Sequence, residues 1–317
     1  MTPCFSIRVL LCFVLACMPA ACGGGGLDSG GIGGSGFVEG PIEGFGSVIV
    51  AGVHFEVNEA TITVNGELGD DQDLEIGMRV GISGTINGDT GIATIVEFEE
   101  DLRGPVESVS PLAGTMVVVG RTVHFDDNTL LVGVDPNDLP LGTRVRVSGL
   151  EEDDEEIRAT RIDSPAGDRI QIRGHVRNLN SGGENFRLPP IFVDFSSATF
   201  IGARADDLSN ATVVSVRGTL SGSRRVLTAT QVRVLDPAGA ADIGDQVRVA
   251  GIVRTQPDGD QFTLASGRTV VLDANTVIED GTLADIQRRA RVRVSGNIIG
   301  TRTRILASKV QILRSAP

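Results

Sequence analysis

The sequence predicts an all-β protein built from four small antiparallel β-barrels in tandem, each closed or partly open, preceded by a signal peptide and a Gly-rich linker. Three observations predict this class. A valine-glycine signature recurs four times in the same context. The composition has 41 Gly, 13 Pro and no aromatic residue but Phe, which leaves Val, Ile and Leu to build the cores. Finally, sustained helical periodicity is nearly absent, while alternation of apolar and polar residues is frequent.

Residues 1–22 read as a lipoprotein signal peptide. Arg8 precedes an apolar run at 9–16, too short for the roughly 20 residues that a spanning helix needs. Small residues then lead to Cys22 in Pro19-Ala20-Ala21-Cys22, followed by four glycines. This stretch resembles a lipobox, which makes Cys22 the lipidated residue and the membrane a partner through an N-terminal lipid anchor. Cys17, after Val14-Leu15-Ala16, is the alternative, and a plain secretory cut near Ala21 is a further one. Gly23 behind the anchor does not look like an inner-membrane retention signal, which favours the outer membrane, with the face left open.

All four cysteines (Cys4, Cys12, Cys17 and Cys22) lie in this leader. The remainder therefore has no disulfide framework and no thiolate metal site. Residues 23–38, mostly glycine, cannot bury enough surface to fold and read as a tether.

The repeats are then expected at 39–102, 103–166, 167–239 and 240–317. Their signature is Val80-Gly81-Ile82-Ser83-Gly84, Val145-Arg146-Val147-Ser148-Gly149, Val214-Ser215-Val216-Arg217-Gly218 and Val292-Arg293-Val294-Ser295-Gly296. A second strand signal follows each copy, at Ala93-Thr94, Ala159-Thr160, Ala229-Thr230 and Ala307-Ser308. A leading strand precedes each, around Gly40, Gly104, Gly174 and Gly251, with a middle strand ending near Thr61, Thr129, Thr199 and Thr276. The wider spacing of the last two signature glycines predicts an insertion, placed in the loops around Asp258 or Asp280. The alternation in Arg291-Val292-Arg293-Val294 sends valines to the core and arginines to the opposite face. Helical turns are expected only around Asp206 to Leu208 and Leu283 to Ile286, just before the signature.

Short strands with frequent turns escape exposed edges most simply by closing into barrels. The set Gly-x-Val, Leu139-x-x-Gly142-x-x-Val145, Val-x-Val-x-Gly and Ala-Thr-x-Ile resembles the family called domain of unknown function 5666. The resemblance spans nearly all of 39–314. It implies an oligonucleotide-binding-like barrel and no activity, and it carries over no functional residues. Copies three and four depart from it, with Asn210-Ala211-Thr212 and Arg289-Ala290-Arg291 where a Gly-centred turn is expected.

No catalytic constellation, cofactor fingerprint or spaced metal motif stands out. His54 and His124 share one slot in Val-His-Phe, which suggests a structural imidazole on the solvent face of the middle strand. Six consecutive acids at 151–156 and the cluster Asp70-Asp71-Gln72-Asp73 read as solvated loops rather than calcium sites. Charge is graded along the chain: repeat 1 is acidic, whereas repeat 4 holds Arg288, Arg289, Arg291, Arg293, Arg302 and Arg304.

These features point to a non-catalytic envelope lipoprotein that binds another envelope protein, or its own copies by charge pairing. Polyanion binding by those six arginines is the alternative, with acidic polysaccharide or lipid headgroup ahead of nucleic acid, because stacking platforms are few. An enzyme ranks last.

Overall fold

The computed structural model describes residues 34–221, 225–236 and 241–313. The expected signal peptide, both candidate lipidation cysteines and residues 23–33 of the tether lie outside the described residues. Among the described residues there is no α-helix, only strands joined by turns and short 3-10 segments.

Repeat 1 sets the pattern. Its leading strand is Gly34–Gly44, its second strand Val48–Val50 and its middle strand Val53–Glu56. A short strand Thr61–Val64, the signature strand Arg79–Asn87 and the closing strand Thr90–Phe98 complete it. The leading strand pairs with the second, the second with the middle, the middle with the closing, the closing with the signature, and the signature again with the leading strand. The ring is therefore closed. The middle and short strands lie end to end, both parallel to the closing strand. This five-stranded ring order is that of the oligonucleotide-binding barrel.

The other three repeats have the same ring. Their signature strands are Arg144–Glu151, Val213–Leu220 and Arg291–Ile298, and their closing strands Glu156–Asp163, Val226–Leu235 and Arg304–Ile312. Repeat 3 departs from the signature pattern in sequence yet keeps every pairing. The turn before the signature shows why. Gly77, Gly142, Ala211 and Arg289 all adopt positive φ, at 84°, 89°, 73° and 71°. Each donates its N–H to a leading-strand carbonyl, that of Ile42, Val106, Val176 or Val253. Two non-glycine residues accept the left-handed conformation, and the turn is preserved.

The signature has a local mechanical explanation. The register shifts between Ser83 and Gly84, Ser148 and Gly149, Arg217 and Gly218, and Ser295 and Gly296, so each closing strand carries a bulge opposite the signature glycine, its extra residue being Thr94, Thr160, Thr230 or Ser308. A Cβ at Gly149 would lie 2.3 Å from the carbonyl oxygen of Arg158, and the other three glycines meet a carbonyl at 2.1 to 2.2 Å. Only glycine fits such an approach. The bulge strands one carbonyl, and the repeated hydroxyl answers it: Thr94, Thr230 and Ser308 donate to the carbonyls of Ser83, Arg217 and Ser295 at 3.0 to 3.2 Å, while Thr160 lies 3.1 Å from that of Ser148 and 2.6 Å from that of Gly77 in repeat 1.

The expected helical turns are present as 3-10 segments at Ala205–Asp207 and Leu283–Asp285, with a third at Asp71–Asp73. In each, the terminal aspartate reaches back to a backbone N–H, of Arg204, Thr282 or Asp70.

Two features differ from the sequence expectation. The leading strand of repeat 1 begins at Gly34 rather than after residue 38, because Gly36 to Glu39 pair in parallel with Gln246 to Val249 of repeat 4. Phe37 is buried there and belongs to the core of repeat 4. The extra length before the last signature glycine lies between barrels, not in the loops around Asp258 or Asp280. The connectors are 99–101, 164–169 and 236–245, and the longest joins repeat 3 to the repeat that returns to repeat 1.

The barrels thus join in pairs. One sheet unites repeats 1 and 4, and the other unites repeats 2 and 3 through Leu102 and Arg103 opposite Ile172 and Gln171. Repeats 2 and 3 share one hydrophobic core cluster, while repeats 1 and 4 keep one each.

Candidate functional site

The charged side chains gather where the barrels meet. Alternation on the strands does send valines inward, as at Val145, Val147, Val292 and Val294. The arginines beside them face carboxylates instead of open solvent, Arg291 and Arg293 on a neighbouring repeat and Arg146 on Asp163 of its own repeat and Glu75 of repeat 1; each is about one-fifth exposed.

A central junction draws on all four repeats. Arg79 of repeat 1 bonds Glu39 at 2.6 Å and also Asp101 in the first connector. Glu39 receives Arg268 of repeat 4 at 3.1 Å. Arg173 of repeat 3 reaches Asp101 at 3.4 Å and Glu151 of repeat 2 at 3.1 Å, and His175 lies 3.5 Å from Glu151. Burial alone would raise the carboxyls of Glu39 and Glu151. The basic side chains around them (Arg268 and Arg79; Arg173, then His175) outweigh it and hold both below the ordinary range. The same carboxylates, with Asp101 foremost, drive Arg79 further up against its own burial.

The acidic run at 151–156 is not a solvated tip. It is a socket for arginines of repeats 3 and 4. Asp154 takes Arg177 on both oxygens at 2.9 Å and Arg254 at 2.9 Å, and although burial opposes it, these bonds pull its carboxyl down to about 2. Glu156 bonds Arg289, Glu152 lies 2.5 Å from Arg158 and 3.6 Å from Arg289, and Asp153 lies 3.7 Å from Arg288. Glu155 alone of the six is exposed.

His124, Glu152 and Glu156 bring their ligand atoms within 4.8 Å of one another, a grouping that could suit a metal ion. Arg158 and Arg289 already sit on those carboxylates, so the geometry is that of a charge-compensated clasp. His54 is exposed, 3.2 Å from the Ser47 hydroxyl, whereas His124 turns toward Glu156 at 3.3 Å. The two imidazoles share a slot and not a role.

The six arginines singled out in repeat 4 do not converge on one surface. Arg288 and Arg289 face the acidic socket. Arg291 lies 3.9 Å from Asp126, Arg293 2.5 Å from Glu43, and Arg302 2.7 Å from Asp236. Arg304 is exposed at the start of the closing strand, with no acidic partner among the described residues.

A cleft of about 460 Å³ opens between repeats 1 and 3. The Asn65-Gly66 turn of repeat 1 docks at its rim: Arg217 donates to the Asn65 carbonyl at 2.9 Å and Gln171 to its side chain at 3.0 Å. The Arg233 guanidinium lies flat on Gly66, where a Cβ would fall 1.5 Å from it. Glu97 and Glu99 line the cleft, and burial pushes both carboxyls up.

Sequence reasoning missed the junction, the socket and the cleft. One signal was available: Lys309 is the single lysine among 28 basic residues. Arginine's planar fork suits carboxylate pairing at interfaces, and a solvated surface has no such need of it.

A family model described as Domain of unknown function (DUF5666) matches residues 35–97, 103–163 and 250–311. No curated protein matches the sequence. Among solved structures the chain is similar to drosophila Unr CSD456, at 16% identity and a TM-score of 0.17, covering 68% of this chain and 98% of that one. Strand order, and not this likeness, identifies the barrels.

Proposed function

We propose that this chain, which belongs to the DUF5666 family, is a non-catalytic lipoprotein of the bacterial cell envelope, whose barrels form one rigid body that binds or positions another envelope protein. The observation that carries the reading is the internal use of charge. Five of the six arginines singled out in repeat 4 face carboxylates of the same chain, and five of the six acids at 151–156 face basic side chains. With the cations consumed inside and a formal net charge of −13, the outer surface is acidic. Such a surface repels polyanions and suits a basic or neutral partner.

Charge complementarity between the ends of the chain is met within one molecule, so a salt-dependent polymer is not needed to satisfy it. Polyanion binding would have to use the exposed Arg304 and the outer parts of Arg288 and Arg302. An enzymatic reading would have to rest on the Ser47 hydroxyl and the exposed His54 imidazole, 3.2 Å apart.

The test has two arms. Cells expressing the full chain are fed labelled palmitate; the label is expected on the wild type and absent from Cys22→Ala, with the protein released from the envelope fraction. Retained label in Cys22→Ala and its loss in Cys17→Ala would move the anchor. In the second arm the soluble chain is passed over heparin and anionic vesicles at low salt, and no retention is expected. Retention that Arg304→Glu abolishes would favour the polyanion reading instead.

A further inference from the structure

Repeats 1 and 2 differ at one sheet edge. In repeat 1 the short strand Thr61–Val64 pairs with the closing strand on one side and with an added antiparallel strand, Glu67–Gly69, on the other. Its counterpart in repeat 2 is Leu130–Val132, which pairs with the closing strand alone and stands at the end of its sheet. Register fixes the equivalence: Ile62 lies opposite Val96 and Leu131 opposite Ile162, each two residues after the repeated threonine. Ile62, with Gly69 of the added strand across from it, is 6% exposed. Leu131 is 36% exposed, and Leu130 and Val132 beside it are 39% and 40% exposed.

Consecutive exposed aliphatic side chains on a strand whose outer backbone edge is unpaired form a template for one more strand. Repeats 3 and 4 also leave this edge open, at Thr199–Ile201 and Val277–Glu279, but there only the first residue is exposed. Repeat 2 exposes all of its strand.

Charge selects the occupant. Asp127, Asp135 and Asp138 flank the strand, exposed and without a basic partner among the described residues. Arg161, opposite Leu130 on the ladder, is already held by Asp163 and Glu75. A second copy paired antiparallel about Leu131 would bring Asp127 toward Asp135, and like charges opposite one another destabilise such a pair. The formal net charge of −13 works in the same direction. An extended segment with alternate aliphatic residues and lysine or arginine at its ends answers both the edge and the acids.

We infer that the Leu130–Val132 edge is a docking site where an extended, basic-flanked segment of a partner protein adds as a strand. The inference rests on the proposed role as a binder of another envelope protein, and it names where and how that protein is held.

The experiment is fluorescence anisotropy of the full soluble chain with the labelled peptide Lys-Lys-Val-Thr-Val-Thr-Val-Lys-Lys. Two companion peptides replace every lysine by glutamate, or the central valine by proline, which removes a backbone N–H. Saturable binding with a midpoint below about 1 mM is expected for the first, and at least about ten-fold weaker binding for each companion. Leu131→Lys should weaken the first peptide by at least about ten-fold. Leu112→Lys, at an aliphatic residue fully exposed elsewhere in repeat 2, should leave it unchanged. Circular dichroism verifies that both variants are folded. No saturation up to about 1 mM, equal binding of the lysine and glutamate peptides, or unchanged affinity in folded Leu131→Lys would each overturn the assignment. A dimer seen by light scattering in the wild type and lost in Leu131→Lys would give the edge to a second copy and overturn it likewise. Crosslinking in cells separates the site from the role. An envelope protein captured equally by wild type and Leu131→Lys keeps the role and removes the site, whereas a wild-type chain that captures none removes the role and the docking site with it.

Discussion

Repeats 2 and 4 contain the same six residues, Arg-Val-Arg-Val-Ser-Gly, at 144–149 and 291–296. In both, the valines enter the core, the glycine faces the bulge of the closing strand and the strand closes the ring. The second arginine nevertheless ends in different places. Arg146 faces Asp163 across its own ladder, bonding it through Nε at 2.8 Å and NH2 at 2.7 Å, and then reaches Glu75 of repeat 1 at 3.0 Å. Arg293 faces Gln311 across its ladder, at 3.2 Å, and puts its charge on Glu43 of repeat 1. The hexapeptide fixes the barrel locally. The residue opposite it on the closing strand decides whether the arginine serves its own repeat or a neighbour.

The strongest way to break this comparison is through the part the two copies share. Gly149→Ala and Gly296→Ala each drive a methyl against a backbone carbonyl that cannot move without opening the ladder. Each should cost on the order of 3 kcal/mol, and about equally. Urea unfolding of the two variants measures it, and a large inequality would show that the bulge is not the common element.

The arginines should then separate the copies. Arg146→Ala leaves Asp163, which is 7% exposed, with only Arg161 beside it; a loss of about 2 kcal/mol follows from uncovering a buried charge with partial compensation. Arg293→Ala releases Glu43, which is one-third exposed and can rehydrate, so at most about 1 kcal/mol is expected. Parallel denaturation curves test the order, and Gln311→Asp should raise the cost of Arg293→Ala toward that of Arg146→Ala.

What could be read from the sequence follows the same division. The rings were legible because the signature, the Ala-Thr pair and the turn before the signature are requirements within one repeat, each written within a few residues. The junction was not, since Glu39 meets Arg268 and Glu156 meets Arg289 across more than a hundred positions. No periodicity marks such pairs. The tether was read too far for a related reason. Gly34-Ser35-Gly36 has a linker's composition, yet Gly36 is required there because a Cβ would fall 2.5 Å from Ile86 and 2.8 Å from the Gln246 carbonyl. The acidic run was read as solvated because its arginine partners belong to other repeats.

Acid sharpens the contrast between the two pairs of repeats. Asp154 binds Arg177 of repeat 3 and Arg254 of repeat 4, and its carboxyl titrates near 2 where 3.8 is ordinary. A depressed carboxyl contributes stability that is fully present above the ordinary value and is lost as pH falls through the folded one. The contribution is at most about 2 kcal/mol, present at pH 5 and above and shrinking between roughly 4 and 2. Asp154→Asn should therefore be less stable than wild type at pH 7, and the gap between the two urea curves should narrow steeply by about pH 2. Curves that stay equally far apart at both values would mean that Asp154 stabilises by something other than its charge.

The smallest expected effect is a gain. Ala211 holds φ at +73° in the turn where Gly77 and Gly142 serve repeats 1 and 2, and a side chain in that region costs roughly 1 kcal/mol that glycine does not incur. Against this stands the larger backbone entropy that glycine loses on folding, so Ala211→Gly should stabilise repeat 3 by about 0.5 kcal/mol. The same exchange at Arg289, with φ at +71°, relieves the backbone but removes the arginine that bridges Glu152 and Glu156. It should be neutral or destabilising, with the deficit shrinking at high salt as the exposed part of that pair is screened. Thermal unfolding of both variants at two ionic strengths separates the backbone contribution from the charge contribution. A gain at Arg289 that matched the one at Ala211 would mean that the socket contributes nothing to holding repeat 4.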